Sequence, residues 1–68
     1  MNELLTKLES ELFELNDKRS KLFKFMRSDE YAELPPVHKG LLMVQSRFMN
    51  GYIEVLQDRI QLIADEEK

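Results

Sequence analysis

Cysteine and tryptophan are missing from these 68 residues, and histidine occurs once. Without cysteine there is no disulfide and no thiolate metal site, and an all-histidine site would need several chains. Proline and glycine number two each, so breaks are few and the segments between them long. Apolar runs are short as well. The longest, LLMV at 41–44, falls far below the roughly 20 residues needed to cross a bilayer. The opening MNELLTKLESE lacks the basic start and apolar block of a secretory signal. These absences predict a chain with no metal, no cofactor and no membrane partner, in a reducing cytoplasm. The net charge of −3 argues against binding nucleic-acid duplex, which favours a basic surface.

What is present is a pattern. Hydrophobic residues make up 43% and charged residues 34%, a balance that suits a helical protein whose faces alternate. The stretch PVHKGLLMVQSRFMNGYIEVLQDRIQLI at 36–63 is longer than an ordinary globular helix. Steps of three and four residues through it pick out Leu42, Gln45, Met49, Tyr52, Leu56, Arg59 and Ile63, the spacing of a coiled-coil seam. Beside that line run Leu41, Val44, Phe48 and Val55, with Ile53 and Ile60 on the other flank. One partner helix cannot cover so broad an apolar surface.

Residues 3–27 predict a first helix, with Leu5, Leu8, Leu12, Leu15, Arg19, Leu22 and Met26 as its seam. Asn2 is placed to cap its start and Ser28 to cap a short helical turn at 28–34, which folds Tyr31 and Leu34 back over the connection. Pro35 and Pro36 disfavour helix before them, and Pro36 suits a first helical turn, so helix two is expected at about 36–64. Asn50-Gly51 is a hairpin-turn signal that competes with this reading. The apolar phase passes through it unbroken, which favours a continuous helix with Gly51 as a point of close approach. The expected fold is all-α: one domain, 1–68, an antiparallel two-helix hairpin with a short helical turn at the connection. A core this small rarely supplies more than a few kcal/mol, and with disulfides and metals excluded, self-association into a helical bundle is the remaining support. The expected interface between copies comprises Leu42, Gln45, Phe48, Met49, Gly51, Ile53, Leu56, Arg59 and Ile60.

Charge adds a second pattern. The first helix runs acidic to basic, as its dipole favours, whereas the second runs basic to acidic. Residues 16–48 hold seven Lys/Arg against four Asp/Glu, net +3, and the remainder three against nine, net −6. Solvated helix faces explain such a layout blandly. The sharper reading is that a basic tip and an acidic tail await a second hairpin laid head to tail, or that the tip holds an anion.

Catalytic constellations are missing: no nucleophile, base and orienting group can be named together, and Lys39-Gly40 lacks the rest of a phosphate-binding loop. The chain reads as no enzyme. An aromatic ring stacks on any base and Lys or Arg meets a phosphate, which makes Tyr52 with Lys18, Lys21, Lys24 and Arg47 a candidate ligand set. The competing account gives Gln45, Tyr52 and Arg59 only a register-setting role in the seam.

The series Leu15, Lys18, Lys21, Leu22, Phe25, Ser28, Tyr31, Leu34, followed by Leu41, Leu42, Gln45, Met49, Tyr52, Leu56, Arg59, Ile60, resembles a group of small phage and prophage proteins related to a crAss-like phage product. The similarity spans roughly residues 12–63. Pro35, Pro36 and Val37 depart from the Ser and acidic residues that often open helix two in that group. The resemblance implies a phage gene acting in the cytoplasm of a bacterial host. In architecture the chain is also similar to phage sponges built as oligomers of small helical hairpins. That likeness implies an anti-defence role, with a cyclic oligonucleotide immune messenger bound between protomers. A helical adaptor or inhibitor docked on a host protein, or a structural protein without ligand, stays open beside it.

Overall fold

Two long helices lie side by side along almost their whole length, joined by one turn of helix. The computed structural model describes residues 2–67. Helix α1 spans Glu3–Met26, α2 spans Asp29–Ala32 and α3 spans Pro36–Glu66; no strand occurs among the described residues. At 1.5 Å per residue, α3 alone is about 46 Å long, and the backbone fills a box of 50 × 15 × 13 Å.

Local chemistry sets each boundary. Asn2 sits in extended backbone and its side-chain oxygen accepts the Leu5 N–H at 3.1 Å, the geometry of an N-cap. Its amide also donates to Glu67 Oε1 at 2.7 Å, tying the start of α1 to the end of α3. Ser28 caps α2 by accepting from the Tyr31 N–H at 3.2 Å, while its hydroxyl donates to the Phe25 carbonyl. Pro36 occupies the first turn of α3, where its missing N–H costs nothing. From there α3 passes straight through Asn50-Gly51; no glycine has positive φ, so this dipeptide makes no turn.

The connection is packed, not slack. Tyr31 and Leu34 are half-buried, and the Tyr31 ring meets Phe25 edge-on at 6.1 Å between centroids. Lys39 Nζ stands 5.8 Å from the centre of the same ring. Such contacts are worth about 0.5–1 kcal/mol each at an exposed site and hold α2 over the end of the hairpin.

Along α1 the seam is the expected one. Leu8 is buried, and Leu5, Leu12, Leu15, Arg19, Leu22 and Met26 are half-buried. On α3 the seam differs from expectation. Leu42, Met49, Leu56 and Ile63 face α1, but the residues between them are Ser46, Ile53 and Ile60. Ile53 and Leu56 are each 1% exposed, whereas Gln45, Tyr52 and Arg59, expected within the seam, are exposed. From each heptad leucine or methionine a step of three or of four stays near the same face. The step of four lands on Ser46, Ile53 and Ile60, which lose less on burial than Gln, Tyr and Arg.

The consequence is a second apolar line on α3 that no other described residue covers. Val37, Leu41, Val44, Phe48, Val55 and Leu62 are all exposed, and Phe48 keeps 76% of its surface open. At about 100° per residue this line points well away from Ile53, on the far side of the helix.

Candidate functional site

Tyr52 is the best-defined polar feature on the surface. It leaves α3 between the seam and the open apolar line, 48% exposed, and its hydroxyl donates to Glu11 Oε1 of α1. That carboxylate accepts the phenol's proton and repels a phenolate. Together with partial loss of water, this holds the Tyr52 pKa above the ordinary 10.0; the Arg59 charge pulls more weakly the other way. Tyr52, Glu11 and Arg59 therefore form one electrostatic neighbourhood.

Helix periodicity extends this flank. Lys18 is seven residues beyond Glu11 and Gln45 seven residues before Tyr52. Each is about two turns toward the connecting end, on nearly the same side of its own helix. The flank thus carries an aromatic ring between a lysine nearer the connection and an arginine nearer the open end.

The other candidate ligand residues do not converge on it. Lys21 is exposed and pairs with Asp17 at 3.0 Å, one turn back on α1. Lys24 is exposed, and its direction lies about 140° around α1 from that of Glu11. Arg47 is exposed about 140° around α3 from Tyr52, toward the opposite flank of the hairpin. There Arg19 bridges the helices instead, donating to Asn50 Oδ1 at 3.4 Å and to Asn16 Oδ1 at 2.9 Å. One protomer therefore presents Lys18 with Tyr52 on one side and Arg47 on another. The five residues do not share one face of a protomer.

The candidate interface residues divide in the same way. Ile53 and Leu56 are consumed inside the protomer, and Leu42, Met49 and Ile60 are half-covered there. Gln45, Phe48, Gly51 and Arg59 remain open. Sequence reasoning did not assign Val37 and Leu62 to the open line. Their spacing from Leu41 and Val55, four and seven residues, was the available signal.

Two shallow depressions lie on α1, one around Thr6, Glu9, Ser10, Phe13 and Glu14, the other around Asn2, Glu3, Thr6 and Lys7. Neither contains a candidate ligand residue. Among the described residues no group of three or more His, Asp or Glu is arranged to hold a metal, and no helix is long and apolar enough to cross a membrane. His38 stands exposed in the first turn of α3.

No curated protein and no solved structure matches the chain. A family model does, over residues 2–62, which takes in all of α1, the connection and most of α3: the chain belongs to the Sequestin family.

Proposed function

We propose that this is a non-catalytic sequestering protein, encoded by a phage and acting against host defence in the bacterial cytoplasm. Its ligand is a cyclic oligonucleotide messenger held between protomers. The family name denotes sequestration, and the surface supports it. The observation that carries the reading is the open apolar line of α3 running beside the Tyr52 flank, which provides an assembly face next to a stacking ring and a cation. Tyr52 offers its ring to a base. Lys18, Lys21, Lys24 and Arg47, contributed by different copies, meet the phosphates.

Sequestration needs no chemistry on the ligand. It requires protomers in excess over the messenger and a dissociation constant below the messenger's working concentration. Calorimetric titration of the protein with cyclic di- and trinucleotides tests this. Saturable binding at micromolar ligand or tighter is expected, with the nucleotide recovered unaltered after heat denaturation. No saturable binding, or a processed product, would contradict it. Lys18→Glu and Tyr52→Ala should each weaken binding by about tenfold, the equivalent of 1.4 kcal/mol.

Phe48, the most exposed residue of the apolar line, favours a second reading: an adaptor or inhibitor seated on a host protein. Phe48→Asp should then abolish capture of one stoichiometric partner, while Tyr52→Ala should leave it intact. A protein without any ligand would show neither behaviour.

A further inference from the structure

The open line on α3 has an internal order of its own. Val37, Leu41, Val44, Phe48, Gly51 and Val55 follow one another by steps of four and three, and Leu62 continues the line one heptad after Val55. This is the spacing of a helix that receives another helix. Near its centre, Phe48, the bulkiest residue, lies three residues from Gly51, the one with no side chain. An added Cβ at Gly51 would meet nothing within 4 Å in the protomer, so this gap faces open space.

The exposed surface is larger than a compact chain of this mass would leave. A compact monomer of 8.1 kDa should expose about 4,500 Å². This chain exposes 5570 Å², an excess of about 1,100 Å² over that figure. A standard protein interface takes about 800 Å² from each partner.

Charge indicates which way the partner runs. Along α3, Lys39 and Arg47 come early and Glu54, Asp58, Asp65 and Glu66 late, with Arg59 the one cation in the later half of the helix. A parallel neighbour would set like beside like, and an antiparallel one sets basic against acidic.

We propose that α3 pairs with α3 of a second copy, antiparallel, about a two-fold axis close to Asn50. With the axis between Met49 and Asn50, Phe48 of each copy enters the space over Gly51 of the other. Val44 meets Val55, and Val37 meets Leu62. The contact is isologous: one surface, used twice, closes the pair. The large residue on one copy fills the gap on the other, which assigns the mid-helix glycine a purpose that nothing inside the protomer requires. Asp58, opposite Leu41, and Arg59, opposite Gly40, are the polar exceptions along the line between Val55 and Leu62 and lie at its two edges. This inference rests on the reading that the protein works as an assembly of copies, and it identifies the second copy's surface.

The chain has no cysteine of its own, so single-cysteine variants report direction cleanly. Val37→Cys and Leu62→Cys change exposed residues at opposite ends of the line, and circular dichroism verifies that each variant stays helical. After treatment with a short bismaleimide, the mixed variants should give a covalent dimer, lost when either variant is treated alone. Cross-linking of Val37→Cys with itself would overturn the antiparallel arrangement. A mixture that yields no dimer would overturn the pairing. A cross-linked pair that binds no cyclic oligonucleotide would sink the ligand and leave the pairing, whereas a monomer that binds one would do the reverse.

Discussion

Ile53 and Leu56 are the residues on which the hairpin closes, since with Leu8 they form its fully buried apolar centre. Truncating either to alanine should cost about 2–5 kcal/mol, because transfer energy is lost and a cavity is left. Urea denaturation at one fixed protein concentration measures it. Tyr52 makes a different kind of prediction. Its pKa is raised in the fold, so the contribution of the Tyr52–Glu11 hydrogen bond is fully present below pH 10 and is lost as pH climbs through the elevated value. In a Tyr31→Phe background, phenolate absorbance should rise above pH 10, and Glu11→Gln should bring that titration down. An unchanged titration in Glu11→Gln would contradict the assigned cause. The two glycines separate helix propensity from packing. Gly40 lies about three turns from Gly51 on nearly the same side of α3, away from the Phe48–Gly51 contact, and a Cβ there also meets open space. Gly40→Ala should therefore stabilise the protein by about 1 kcal/mol at any concentration. Gly51→Leu should improve the isolated helix and yet weaken association.

At the scale of the elements, capping and seam geometry account for the boundaries. Asn2→Ala removes the acceptor for the Leu5 N–H and should lower thermal stability by about 1 kcal/mol. The ends of α1 and the break before α3 are legible in the sequence because each has a specific local cause: Asn2, Ser28 and the paired prolines. The α1 seam is legible because that helix has a single broad apolar line. On α3 two apolar lines compete, and alternating steps of three and four can be threaded from Leu42 either through Gln45 and Tyr52 or through Ser46 and Ile53. Periodicity treats the two alike. The difference lies in the cost of burying an amide, a phenol and a guanidinium against that of a serine and two isoleucines, a packing term that spacing does not contain. The candidate ligand set was legible as residue types only. Seeing that Arg47 and Tyr52 leave α3 about 140° apart requires following the helix round.

For the whole molecule, elongation is the decisive property. The radius of gyration is 15.6 Å, against about 11 Å for a compact domain of this length. A rod two helices thick cannot bury both apolar lines of α3, and the reversed charge order of that helix offers a neighbour an antiparallel fit. Pairing of this kind should weaken as salt rises, because the charges along its rim are exposed and screened. In the proposed function Lys18 and Arg47, which lie toward opposite flanks of one protomer, would meet one ligand from different copies. Sedimentation equilibrium of the unliganded protein over a hundredfold range of concentration tests this directly. The account predicts a mass at least twice the 8.1 kDa chain mass at the upper concentrations, falling toward 8.1 kDa on dilution and in Phe48→Glu. A wild-type protein that stays at 8.1 kDa throughout, fully helical and melting at one temperature regardless of concentration, would contradict it.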